Sequence, residues 1–214
     1  MTNFSESEQH GIEQVNQTSH MILSIGISTD GNAEIAMARK NPKSKIIATT
    51  IDKQGIEQTR KKIIELGLEN QIELKIEDVS NPMPYQNDTF DYVYARLVLH
   101  YLNNQQFENT LQEIRRVLKP QGKFYMAVKS DKELSYKKIL NVDNSTGLTS
   151  YLDPWNTKVV NKRKFMTKQA VKKSLKKFNI LSLKEFNEQT SSDYERKQMV
   201  PHPSPLIEAI AQKE

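Results

Sequence analysis

Apolar positions along this chain switch repeatedly between a strand-like and a helix-like period, and the order of the switches predicts the elements. Met-Ile-Leu-Ser-Ile at 21–25 is an apolar run of strand length that ends at Gly26. Ala33, Ile35, Ala36 and Met37 then recur at a spacing that suits a helix packed on a sheet. Residues 45–51 are rich in β-branched side chains, as a buried strand should be. Ile56, Ile63, Ile64 and Leu66, interleaved with Lys and Glu, predict an amphipathic helix stopped at Gly67. Residues 71–76 alternate apolar and polar, which predicts a third strand, and the two prolines of Asn-Pro-Met-Pro-Tyr at 81–85 predict a loop. A strand at 90–95, a helix at 107–118 with Leu111, Ile114, Val117 and Leu118 inward, and a strand at 123–128 continue the series.

Strands separated by helices of crossover length call for an α/β fold, doubly wound, with a mostly parallel sheet and helices on both faces. Residues 130–166 break the rhythm with Gly147, Pro154 and the only tryptophan, Trp155. That stretch is too long for a bare connection and is expected to be an insertion or lid over the substrate side. Thr167 then predicts the cap of a helix whose Val171, Leu175 and Phe178 form one apolar stripe. Residues 179–186 and 206–211 predict two last strands. Residues 1–20 are polar, carry Gly11 and show little periodicity, so they read as a mobile lead or a short helix closing over a site. One domain over 1–214 accommodates all of this, and a chain of that length buries a full core.

Composition narrows the classes. The absence of Cys excludes disulfides, thiolate zinc sites and a cysteine nucleophile, and it fits a reducing cytoplasm. The acidic, polar start does not read as a signal peptide, and no apolar run approaches the roughly 20 residues that a spanning helix needs. The expected location is therefore cytoplasmic, with no membrane partner. The net charge of +5 is uneven, because residues 154–184 hold ten Lys/Arg and no Asp/Glu. The segment 158–177 is expected to be mainly a solvated helix face, with nucleic-acid association as the rival reading.

Five segments, in their order, resemble the class I S-adenosylmethionine-dependent methyltransferases: the strand and turn at 21–31, a second strand ending near Asp52, Ile76-Glu-Asp-Val79, Asp88-Thr-Phe-Asp-Tyr-Val-Tyr-Ala-Arg96, and Glu113-Ile-Arg-Arg-Val-Leu-Lys-Pro-Gln-Gly122. The resemblance implies a seven-stranded sheet ending in an antiparallel hairpin and S-adenosyl-L-methionine as cofactor. Of the family's three loop glycines only Gly26 keeps its place, with Ser28 and Asp30 at the other two and Gly31 one step later. Ser24 stands where an acid is usual, and Asp30 is expected to supply the negative charge instead. Thr50, followed by Ile51, occupies the position of the acid that holds the ribose hydroxyls. Asp52 is the favoured substitute, against a plain helix N-cap. By the same resemblance Asp78 accepts from the adenine amino group, Val79 faces the ring, and the strand end at Ala95 borders the methionine part.

His100 follows that strand end and is the candidate proton acceptor, although a histidine between Leu99 and Tyr101 also suits packing. Tyr94, Tyr101, Tyr151 and Trp155 line an aromatic pocket or form core and lid. No His/Asp/Glu cluster has metal spacing. Methyl transfer needs few catalytic side chains, and the chain shows no separate recognition region, so a small-molecule acceptor is expected. The rivals are a nucleic-acid-associated enzyme and a non-catalytic protein with a degenerate cofactor loop.

Overall fold

The computed structural model describes residues 4–27, 31–136, 138–153, 156, 158–188 and 204–214. In chain order the elements of its first half are α1 (Glu6–Glu13), β1 (Met21–Ile25), α2 (Asn32–Lys40), β2 (Lys45–Thr50), α3 (Lys53–Glu65), β3 (Ile72–Ile76) and β4 (Phe90–Arg96). They are followed by α4 (Asn104–Val117), β5 (Leu118–Lys129), β6 (Ile139–Asp143), β7 (Leu148–Leu152), β8 (Val160–Arg163), α5 (Lys168–Ser174), β9 (Asn179–Glu188) and β10 (Ser204–Gln212). Seven strands form one sheet in the order β3-β2-β1-β4-β5-β10-β9. The first five run parallel, while β10 pairs antiparallel with both β5 and β9. The doubly wound, mostly parallel sheet is thus the architecture that the strand pattern predicts, and its closing antiparallel hairpin is the one that the resemblance implies.

Side chains alternate across the sheet because the strand period is two. Leu23 and Ile25 join Val93, Phe124 and Met126 on one face, beneath Phe107, Leu111 and Ile114 of α4 and Val171 of α5. Ile22, Tyr92 and Tyr125 point to the other face, beneath Ile12, Ile35 and Ile63 of the first three helices. In α3, Ile56 and Ile63 are buried while Ile64 and Leu66 are exposed. Residues seven apart share a helical face and the next residue is rotated off it, so the stripe is narrower than four apolar residues suggest.

Two segments take a form that the sequence pattern left open. Residues 130–166 contain a three-stranded antiparallel sheet, β6-β7-β8. The polar lead contains α1, which is docked on the main sheet. Gly11 makes that docking possible: a Cβ there would lie 2.3 Å from Cε2 of Tyr94 and 2.8 Å from Tyr125, two rings stacked at 5.4 Å. The Tyr92 hydroxyl donates to the Gly11 carbonyl at 2.7 Å.

Polar contacts then fasten α1 to the strands. The Ser7 amide and hydroxyl donate to Glu188 Oε1 at 2.8 and 2.5 Å, and Arg96 donates to the other carboxylate oxygen at 3.0 Å. Arg96 also donates to the Ser5 and Ser7 hydroxyls at 2.6 Å. The Tyr125 hydroxyl sits between the Ser7 carbonyl and Glu208 Oε2, and His10 Nδ1 lies 2.9 Å from that same carboxylate oxygen. Buried charges persist only when so paired and hydrogen-bonded.

Gly11→Ala tests this seat by its sign. On an exposed helix the change stabilises by about 1 kcal/mol, whereas overpacking costs about 1 to 3 kcal/mol. Urea unfolding should show net destabilisation, and a stabilised variant would mean that α1 does not rest on the tyrosine pair.

Candidate functional site

Strand order reverses between β1 and β4, because β2 and β3 extend the sheet on one side of β1 while β4 and β5 extend it on the other. The connections leave in opposite directions there, and a crevice opens beyond the carboxyl ends of the strands. Gly26 closes β1 at φ +80°, and the amides of Gly26 and Ile27 donate to the Thr49 carbonyl at 2.9 and 3.1 Å. A Cβ at Gly26 would meet Val98 at 2.6 Å, so glycine is required by both conformation and space. Gly31 has φ +58° and packs on Thr59, where a Cβ would approach Cγ2 to 2.5 Å, and it precedes the first turn of α2. Ser28 and Asp30 lie outside the described residues.

A cavity of about 250 Å³ in this crevice brings together Gly26, Thr50, Ile51, Asp78 and Val79, five of the residues singled out in the sequence. Its outer wall is Leu97, Val98, Tyr101 and Leu102. Leu97 has φ +53°, a conformation that costs a non-glycine residue about 1 to 3 kcal/mol and is found most often where a site imposes it. A second cavity, of about 290 Å³, shares Thr49, Glu77, Asp78 and Val79 and extends to Met83 and Tyr85. Asp78 uses Oδ1 to accept the Ser80 amide at 2.9 Å, a local turn that holds its carboxylate at the junction of the two cavities.

The remaining sequence candidates fall elsewhere. Asp52 is the N-cap of α3, with Oδ1 accepting from Gln54 and Gly55 at 3.0 and 2.9 Å, and it does not line the cavity. Ile51 does line it and is 71% exposed. Ala95 is buried in the core beneath the crevice. His100 is 1% exposed, with its ring 4.5 Å from that of Tyr101. Burial, reinforced by the charges of Arg163 and Lys129, holds the imidazole well below its usual pKa, so it is neutral. Tyr94 is buried against Tyr125 and Tyr151 is buried on β7, whereas Trp155 lies outside the described residues.

Ser24 lacks the expected carboxylate, but one reaches it from the next element. Glu34, on the first turn of α2, is 2% exposed and accepts the Ser24 hydroxyl at 2.5 Å. Burial pushes its carboxyl above the ordinary glutamate range, the Ser24 hydroxyl partly offsets this, and Glu8 of α1 adds a like charge that raises it further. The only sequence signal for this residue was an acid within a helix that otherwise turns apolar residues inward.

The loop at 81–85 is braced from α4. Arg116 donates to the carbonyls of Met83 and Tyr85 at 3.0 and 2.7 Å, while Glu113 accepts the Met83 amide at 2.9 Å and pairs with Arg116 at 2.7 Å. Thr110 donates to the Val79 carbonyl at 2.9 Å, and the Tyr85 hydroxyl donates to Glu77 at 2.7 Å. Glu77, absent from the sequence-based candidates, lines both cavities. Lys172, Lys173, Lys176 and Lys177 are exposed while Val171, Leu175 and Phe178 are buried. Among the described residues no group of three or more His, Asp or Glu side chains is placed to hold a metal, and no helix is long and apolar enough to cross a membrane.

Residues 22–122 match the family described as Methyltransferase domain. A sterol 4-C-methyltransferase of Caenorhabditis elegans is 30% identical over 114 residues, which cover 50% of this chain and 33% of that protein. The matched part thus spans a third of that relative's length. An S-adenosylmethionine-dependent methyltransferase of Methanosarcina mazei superposes with a TM-score of 0.76 at 20% identity, over 94% of this chain and 96% of that one. Another from Clostridium acetobutylicum gives 0.70 at 17% identity, over 97% and 89%. At such identities the two structures speak for the fold, and the family match over residues 22–122 speaks for the family. Over residues 22–122 the chain belongs to the methyltransferase-domain family, and its fold is that of the class I S-adenosylmethionine-dependent methyltransferases.

Proposed function

We propose that the protein is a methyltransferase that takes S-adenosyl-L-methionine into the crevice between β1 and β4 and passes its methyl group to a small-molecule acceptor. The observation that carries this reading is the single cavity joining Gly26, Thr50, Ile51, Asp78 and Val79 beyond the strand ends. The residues fit the cofactor chemically. Gly26 leaves no room for a side chain and lets the backbone approach a ligand, Asp78 and Val79 suit the adenine edge and ring, and Ile51 offers an exposed apolar surface beside Thr50. With Asp52 engaged as an N-cap, the Thr50 hydroxyl and Glu77 are the polar groups on the cavity wall that suit the ribose.

The methionine end of the cofactor is cationic at its ammonium and its sulfonium, and a carboxylate behind the turn favours both. Glu34, held on Ser24, fills that role, and Asp30, which lies outside the described residues, is the second candidate for it. When bound, the cofactor supplies an activated methyl group, so the protein's work is alignment and exclusion of water. Tyr101 and the strained Leu97 form the wall against which the acceptor is aligned, with β6–β8 as a lid on that side of one unit spanning 1–214. The acidic lining disfavours a pyrophosphate cofactor in the same crevice, and the exposed lysines of α5 are accounted for as the outer face of a docked helix.

Asp78→Ala should weaken both S-adenosylmethionine and S-adenosylhomocysteine by about 1 to 3 kcal/mol, the scale of a hydrogen bond to a charged group. Calorimetry decides it, and equal affinities would remove Asp78 from the site. A wild type that binds neither at millimolar ligand would leave the non-catalytic reading standing.

Glu34 sets a pH dependence whose sign is fixed. Its folded pKa is raised, so its contribution to stability is fully present below the ordinary glutamate value of about 4.3 and is lost as pH rises through the folded value. Wild type should therefore lose stability relative to Glu34→Gln between pH 4 and pH 8 in urea titrations. Cofactor binding should do the reverse, because the ammonium favours the ionised carboxylate that burial and the charge of Glu8 otherwise oppose. Affinity should rise with pH in wild type, with proton release seen in buffers of different ionisation enthalpy, and should be flat in Glu34→Gln. Equal pH profiles in the two proteins would separate Glu34 from the cofactor.

A further inference from the structure

The polar cluster behind Tyr101 is not accounted for by the cofactor crevice. Both ring nitrogens of His100 are buried without a hydrogen-bond partner, and so is Nε of Arg163. A neutral imidazole carries one donor and one acceptor, and leaving both unmade deep in a protein is unfavourable enough that such groups are nearly always satisfied by water or a ligand. Arg163 ends β8 and lays its guanidinium over two aromatic rings, 5.2 Å from the centre of Tyr101 and 6.0 Å from that of Tyr151. Among the described residues no carboxylate lies within ion-pair distance of it. Nearby, Lys129 pairs with Glu133 at 3.0 Å. The Lys164 amide donates to the His100 carbonyl at 2.7 Å, which fixes the end of β8 against the turn Leu99–Tyr101.

Tyr101 is shared. It lines the cofactor cavity and is 53% exposed, while Arg163 lies over its ring. A molecule resting against Tyr101 and reaching Arg163 is therefore next to the place where a methyl group would be presented. The surrounding segment 154–184 has ten cationic residues and no acid, so nothing on it competes with a bound anion for the guanidinium.

We propose that Arg163 and His100 form the seat for an anionic oxygen group of the methyl acceptor, a carboxylate or a phosphate, with Tyr101 as the wall common to this seat and the cofactor crevice. The inference rests on the methyltransferase reading above. Guanidinium geometry matches two oxygens of such a group at once, and cation–π contact with the tyrosines holds the fork in place. The imidazole N–H behind it completes the set of donors, and the other ring nitrogen accepts from a hydroxyl of the ligand or from a water bridged to it. Arg163 and His100 are thereby binding residues for the acceptor rather than for the cofactor.

The test uses the full-length protein and simple anions as probes. Calorimetry first establishes whether S-adenosylhomocysteine binds wild type, which is the test of the methyltransferase reading. The protein, with and without that ligand, is then titrated with sodium acetate and with inorganic phosphate at ionic strength held constant with sodium chloride, and the imidazole signals are followed by NMR. His100 is identified by the signals lost in His100→Asn. Its signals should shift saturably in the millimolar range in wild type, and the affinity should fall about tenfold or more in Arg163→Gln, with Arg163→Lys between the two because it keeps the charge and loses the fork. The Lys variant keeps the comparison open where Gln fails to fold. No saturable shift of His100 in wild type, or the same affinity in all three proteins, would leave the orphaned nitrogens to an ordered water and overturn the seat. Loss of S-adenosylhomocysteine binding with the anion response intact would instead sink the cofactor reading and keep an anion site.

Discussion

The reversal of strand order at β1 is the constraint on which the rest of the molecule depends. A parallel sheet needs crossover connections of one hand, so strands added on the two sides of β1 send their helices to opposite faces and leave a gap at the strand ends. The residues that line the crevice stand at that gap because of where their strands stop: Gly26 after β1, Thr50 at the end of β2, Glu77 and Asp78 after β3, Leu97 after β4. The core beneath, with Ile25 and Ala95 sealed against α4, is what makes the gap a cavity instead of a soft edge.

The antiparallel end of the sheet is held by charge as much as by pairing. Glu188 at the end of β9 and Glu208 inside β10 are both buried, and both are met by α1 from the other end of the chain. Arg96 joins this group from the last position of β4, one residue before the strained Leu97. The same strand therefore carries the wall of the crevice and the anchor of the N-terminal helix. An uncompensated Glu188 in that setting would be costly, which is a physical reason for α1 to be ordered despite its polar sequence.

Much of the fold was legible because strands and helices announce themselves by period. Residues 21–25 and the stripe Val171, Leu175, Phe178 came out as expected, and Glu113 to Gly122 stands out because its Glu and Arg clamp the loop at 81–85. Gln121, within the same segment, adopts the left-handed conformation at φ +64°. What was hidden depends on distance between side chains rather than on order. Asp52 looked like a displaced ribose ligand, but an aspartate before a helix is claimed first by the nearby amides, which are always within reach. Ser24 looked like a lost acid, and nothing in sequence distinguishes Glu34 from a solvent-facing glutamate until α2 turns it inward. The polar residues of α1 left a mobile lead and a short helix both open, because their partners, Glu188 and Glu208, are some 180 to 200 residues away along the chain.

The two sides of the crevice are built on different principles. On the cofactor side the specificity lies in backbone: a glycine with no room for a side chain, a carboxylate held by its own turn, a carbonyl clamped by Thr110. On the far side lie side chains brought by an insertion, Arg163 on β8 and Tyr151 on β7, set against Tyr101 from the turn that follows β4. Backbone geometry at a strand end is fixed by the fold and changes little with sequence, whereas the tip of an antiparallel insertion tolerates substitution. On the proposed reading β6–β8 and the turn Leu99–Tyr101 set the acceptor, and an exchange of these two segments between relatives of the same fold should carry acceptor preference with it while leaving the proposed cofactor crevice intact.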